Sequence, residues 1–126
     1  MAACKFTPLP FTPPNLPKFG IKKADLPVTC KLKNPPNKVT IARARFYDAA
    51  GHTTTLDVST DGLSFDIPDS IASGDGDLEV RIQVDSGGPD PIPPIDVVED
   101  CSASQLILTI TDSGSKAAAA DVVVQS

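Results

Sequence analysis

His52 is the single histidine in a chain of 126 residues, so any Ser–His–Asp or Cys–His machinery would have to use it as its base. It follows Gly51 in a predicted hairpin turn. Thr53, Thr54 and Thr55 place hydroxyls beside it, yet no GxSxG elbow or comparable nucleophile turn occurs anywhere, and His52 is read as a solvent-facing turn residue. Ser113 and Lys116 satisfy S-x-x-K, a pairing that works at a helix start within a much larger fold, and the match is read as chance. The 16 acidic residues could supply many carboxylate pairs, but without an aromatic sugar platform none is singled out for glycoside hydrolysis. Gly74 to Asp77 and Gly87–Gly88 are too short and too acidic to cradle phosphate. These residues predict no enzyme.

Metal chemistry narrows to calcium. Asp75 and Asp77 flank Gly76, with Asp61, Asp69, Asp85, Asp90, Glu99 and Asp100 in other turns, and hard oxygen ligands at loop ends suit Ca²⁺. No EF-hand loop is present, and Asp is also a preferred turn residue. The expectation is therefore no cofactor, with Asp75 and Asp77 as the positions at which calcium is to be tested. One histidine and three scattered cysteines, Cys4, Cys30 and Cys101, make a poor zinc set. Cys30 and Cys101 each fall near a candidate strand, so a disulfide between them stays open beside the expectation of reduced, buried thiols.

The elements that would position these groups are short. At 13.1 kDa the chain suits one domain with one core. Its longest apolar runs of three or four residues fall far below the ~18 that a membrane helix requires. The start, MAACKFTPLP, lacks the continuous apolar stretch of an export signal, and Met1 is read as the native start. Charge is lopsided. Residues 1 to 45 hold nine basic side chains against Asp25, whereas residues 46 to 126 hold Arg81 and Lys116 against thirteen Asp and two Glu. Such polarity either neutralises itself within the fold or makes the molecule complementary to a neighbouring copy. Nucleic acid ranks last as a partner, because most of the folded part would repel phosphate.

Residues 1 to 27 contain six of the 13 prolines, which predicts an extended proline-rich arm and not a helix or central strand. The arm also carries Phe6, Phe11 and Phe19 and the cations Lys18, Lys22 and Lys23. Spaced aromatic anchors on a stiff chain suit docking into grooves of a partner. PxxP matches at Pro10, Pro14 and Pro91 are what any proline-dense segment produces.

From residue 28 to 126 the texture predicts a β domain. Strands are expected at Val28 to Lys33, Lys38 to Asp48 with a bulge where the buried parity switches, Thr53 to Ser59, Leu63 to Ile67, Asp77 to Asp85, Ile95 to Val98, Gln105 to Thr111 and Asp121 to Gln125. Turn signals every 8 to 12 residues and no helical period point to an all-β, two-sheet sandwich.

The stretch Thr60 to Gly88, TDGLSFDIPDSIASGDGDLEVRIQVDSGG, resembles the middle of bacterial and phage immunoglobulin-like β-sandwich modules. A D-G turn leads to an alternating strand, then a polar glycine loop, then a strand of V-x-V type closed by D-x-x-G. The resemblance covers about a quarter of the chain. It implies binding or scaffolding, since such modules occur in surface adhesins and as appended domains of phage virion proteins. The core tryptophan of antibody-type domains is absent, for the chain has no Trp. The expected function is a non-enzymatic structural protein of a virion, a phage capsid decoration or head-tail protein whose partners are protein subunits, copies of itself among them. The alternative is a surface-displayed, adhesin-like binding module at the cell surface that uses calcium. On the first reading, deleting residues 1 to 26 leaves a folded monomer that no longer joins its assembly.

Overall fold

Val28, Cys30 and Leu32 alternate with Thr29, Lys31 and Lys33, and this period of two is what lets a strand bury one face and wet the other. The computed structural model describes residues 7–9, 18–89, 95–99, 106–108 and 117–125, all of them strand or turn apart from one 3-10 turn at Lys23–Asp25. Ten strands follow in chain order. They are β1 (Thr7–Leu9), β2 (Lys18–Lys22), β3 (Val28–Lys33), β4 (Val39–Asp48), β5 (Thr53–Val58), β6 (Ser64–Ile67), β7 (Gly74–Val84), β8 (Ile95–Glu99), β9 (Leu106–Leu108) and β10 (Ala117–Gln125). They join edge to edge in the order β1-β2-β10-β7-β4-β5-β6-β3-β8-β9. Every pairing is antiparallel except β2 with β10, so the all-β sheet is mixed.

One strand belongs to both halves of this sheet. Thr53 to Leu56 of β5 pair with β4, and the next two residues, Asp57 and Val58, pair with β6. The sheet curls, and inward side chains from both halves form one core: Phe46, Leu78, Val80, Val122 and Ile21 from the β2-β10-β7-β4 half, Cys30, Phe65, Ile67 and Val97 from the β6-β3-β8 half. The bulge expected in β4 lies between Ile41 and Arg43, where the register against β7 slips by one residue. The slip returns Ala44 and Phe46 to the face already occupied by Val39 and Ile41.

The tight turns follow their residue chemistry. Between β5 and β6, Asp61 Oδ1 accepts from the Leu63 N–H at 3.0 Å and from the Ser59 hydroxyl, and the Gly62 N–H donates to Ser59 O at 3.0 Å. Gly62 has φ +71°, the left-handed region that favours glycine. These bonds, the Ser59 hydroxyl first, hold the Asp61 carboxyl below its ordinary value.

Two expectations change. The boundary drawn at residue 27 falls inside the folded body, because Lys18–Lys22 is a sheet strand paired in register with Asp121 to Gln125. Phe19, Ile21 and Leu26 from the predicted arm are buried in the core. Proline does bar a central strand, but residues 18 to 26 contain none, and β1, which contains Pro8, lies at the edge of the sheet where proline is tolerated. In addition, β7 begins at Gly74 and β10 at Ala117, each earlier than its composition suggests, because Gly74–Gly76 find ladder partners in Val122–Val124 and Ala117–Ala120 find theirs in Leu78–Arg81.

Cys30 is a free thiol with no exposed surface. Burial pushes its pKa up first, and the carboxylates of Glu99, its register partner on β8, and Asp66 push it further. It is thus an inert core group. Cys4 and Cys101 lie outside the described residues.

Candidate functional site

The outward positions of β4, β7 and β10 form a row of charged and polar side chains, since the inward ones are committed to the core. On β4 these are Arg43, Arg45 and Tyr47, and on β7 Asp75, Asp77, Glu79, Arg81 and Gln83. Register sets their neighbours: Arg43 lies opposite Arg81, Arg45 opposite Glu79, Tyr47 opposite Asp77, and Asp121 of β10 also faces Asp77. The face is therefore basic at one end and acidic at the other.

At the basic end Glu79 is the hub. Arg43 Nη2 and the Tyr47 hydroxyl both donate to its Oε1, at 3.3 and 3.2 Å, and Arg81 Nη2 lies 3.9 Å from Oε2. Two guanidiniums and a phenol thus share one carboxylate, with Arg45 as its register partner on β4. Arg43 and Arg81 keep about a third of their side-chain surface exposed, and the Nε–H groups of Arg43 and Arg45 have no hydrogen-bond partner. The exposed part of these guanidiniums is suited to charge-assisted contact with a carboxylate.

The acidic end is a shallow pocket of about 260 Å³ lined by Lys18, Tyr47, Asp48, Ala49, Asp75, Gly76, Asp77 and Asp121 together with Val122 and Val123. Its carboxylates differ in state. Asp48 belongs to the β4–β5 turn: Oδ1 accepts the N–H groups of Ala50 at 3.0 Å and His52 at 2.8 Å, and Oδ2 lies 3.3 Å from His52 Nδ1. These contacts, the His52 N–H foremost, keep the Asp48 carboxyl below its usual range. Asp77 moves the other way. Its hydrogen bond with Asp121, then partial burial, then the Asp121 charge raise its pKa, so the two carboxyls hold a proton between them more readily than an isolated Asp would.

The sign of that shift fixes a pH prediction. A raised carboxyl contributes its full stability below the ordinary Asp value and loses it as pH climbs through the raised one. Asp77→Asn is therefore expected to raise the melting temperature at pH 7, where it removes a like-charge pair set directly opposite across β7 and β10, a gain of roughly 0.2–1 kcal/mol. At pH 3 the gain should vanish. Thermal melts of both proteins across this range check it, and a gain of equal size at both pH values would contradict the pairing.

Of the residues singled out by sequence, Asp75, Asp77 and Lys18 meet in this pocket. Phe19 does not serve as an exposed anchor, since the residue is 6% exposed in the chain's own core. Lys23 Nζ donates to the carbonyl of Ile71, and Lys22 is exposed at the end of β2. Phe6 and Phe11 lie outside the described residues. No group of three or more His, Cys, Asp or Glu among the described residues is arranged to hold a metal. His52 stands 80% exposed in its turn. The arginine cluster was missed in the sequence because its members come from two strands and converge through a bulge. The signal that could have found it was the outward parity of Arg43, Arg45 and Arg81 on strands otherwise rich in apolar residues.

Comparisons with protein-family models, with curated proteins and with solved structures gave no match.

Proposed function

We propose that this chain is a non-enzymatic structural protein that takes its place in a larger protein assembly, as a capsid decoration or head-tail component of a phage does. The observation that carries the reading is the outer face of β4, β7 and β10, a rigid hydrogen-bonded platform bearing Arg43, Arg45, Arg81 and Tyr47 beside a carboxylate-lined pocket. Arginine and tyrosine are the residues that protein interfaces enrich, because they combine contact area with directed hydrogen bonds. Charged side chains on paired strands also lose little further freedom on docking.

The finer fold we assign is an immunoglobulin-like sandwich. In such domains strands C, F and G form one sheet and B and E neighbour each other in the second. What supports this reading is the antiparallel order β4-β7-β10 and the pairing of β3 with β6, with β5 pairing to both β4 and β6. The segment before β2, with Phe6 and Phe11, is proposed as a further docking element mounted on the edge of this body.

A photo-crosslinking residue at Thr55, exposed on the neighbouring strand β5, tests the reading in the native source. Adducts with structural subunits of a particle are expected; recovery of the chain only as an adduct-free species would overturn it. The alternative of an adhesin-like, calcium-using module rests on the same pocket through Asp75 and Asp77. Calorimetry with Ca²⁺ and a glycan panel separates the two, because the assembly reading expects heat from neither.

A further inference from the structure

We infer that the outer face of β4, β7 and β10 is self-complementary, and that two copies of this chain pair through it about a two-fold axis, each seating Asp75 and Asp77 on the Arg43–Arg45 cluster of the other. The inference rests on the assembly reading above and names a partner for that face.

Three observations lead to it. First, charge is graded along one strand: β7 runs outward from Asp75 and Asp77 through Glu79 to Arg81. Arg81 lies six residues along from Asp75, about 20 Å at the rise of a strand. That exceeds the screening length of about 8–10 Å at ordinary salt, so the two ends do not neutralise each other within the molecule. Second, each end has capacity to spare. The one carboxylate of Glu79 faces Arg43, Arg81 and its register partner Arg45, an excess of positive charge, and Arg43 and Arg81 keep about a third of their side-chain surface exposed. At the other end Asp48, Asp75, Asp77 and Asp121 line one pocket with Lys18 as the one cation among its described residues, and Lys22 lies four residues, about 13 Å, further along β2. Third, Asp57, the acid nearest Arg43 on β5, sits where that strand leaves β4 to pair with β6.

A two-fold axis brings patch i onto patch j and j onto i in one operation. A face that carries one sign at each end satisfies it with a single kind of contact made twice, carboxylate on guanidinium. The opposite arrangement, with the ends in parallel, sets like charges together and is excluded by repulsion. Asp77 gains most. In the free chain it lies directly opposite the like charge of Asp121, and in the pair a guanidinium would offset that repulsion. The face is about 20 Å long and about 15 Å wide, so each copy covers roughly 300 Å², the area of a weak and reversible pair.

Sedimentation velocity of the full-length protein, at concentrations up to several hundred micromolar on the order expected for so small an area, provides the test. A dimer at low salt that dissociates as salt rises is expected. Arg43→Glu/Arg45→Glu and Asp75→Lys/Asp77→Lys should each weaken dimerisation by at least about tenfold, since each reverses the charge of one of the two contacting patches. An equimolar mixture of the two variants should recover the dimer, because each reversed patch then meets a patch of opposite sign. Asp75 and Asp77 are exposed, and replacing Asp77 relieves its repulsion with Asp121, so this variant remains a fair test even if the arginine variant fails to fold. A wild-type chain that is monomeric at every salt concentration overturns the inference, and if that monomer still crosslinks to other subunits the assembly reading stands without it. A dimer indifferent to Asp75→Lys/Asp77→Lys also overturns it.

Discussion

A chain truncated before Lys23 is expected to lose its cooperative thermal transition, or to melt at least roughly 10 °C lower than the full protein. The truncation removes β2, whose Phe19 and Ile21 are 6% and 1% exposed, and full burial of such side chains stabilises by roughly 1.5–3 kcal/mol each. It also uncovers one whole edge of β10 and the inward surfaces of Val122 and Val124. Domains of this size have only about 5–15 kcal/mol in total, so a loss of this order is a large fraction of it. Single substitutions grade the effect: Ile21→Ala should cost about 2–5 kcal/mol and Lys22→Ala, exposed at the end of the strand, close to nothing. Urea unfolding of the set measures it. A truncated chain with the stability of the parent would show that residues 18–22 are a removable arm after all.

Gly76→Val is the second large effect. A Cβ built at Gly76 overlaps the Phe46 ring and sits 2.7 Å from the Tyr47 carbonyl oxygen. Neither neighbour can give way, because Phe46 is 2% exposed in the core and the Tyr47 carbonyl belongs to the β4 strand. Overpacking should destabilise the protein by roughly 3 kcal/mol, with the largest disturbance at the β4–β7 contact beneath the acidic pocket. Adding Phe46→Leu should recover part of the loss, and a double-mutant cycle by urea unfolding reads the coupling between the two sites. Strict additivity of the two changes would mean that the close approach is not what makes glycine necessary there.

The strands from Val28 to Ile67 were legible because alternation and turn residues agree there: Val28, Cys30 and Leu32 face inward, and Asp61–Gly62 turns the chain. Parity alone located the bulge in β4. The N-terminal strand was not legible, for a reason that Phe19 and Ile21 make plain. Proline density averaged over 27 residues masked a proline-free run, Lys18 to Leu26, whose alternating apolar residues are strand-like, and its partner lies at the far end of the chain. The same distance in sequence hid the charged face, since Asp77, Asp121 and Lys18 become neighbours only through pairing. Lopsided net charge pointed toward complementarity, but it assigned the basic role to the arm, whereas the guanidiniums that gather around Glu79 come from β4 and β7.

Lys18 faces Asp121 in the parallel pair, with about a hundred residues of chain between them. During synthesis, β2 is therefore among the first strands to leave the ribosome and among the last to find its place. Until β10 follows, Phe19 and Ile21 have no wall to rest on, so nascent chains of this protein should carry an oily stub that draws chaperones. The register that joins β2 to β10 acts as a clasp, closing only when translation is nearly done.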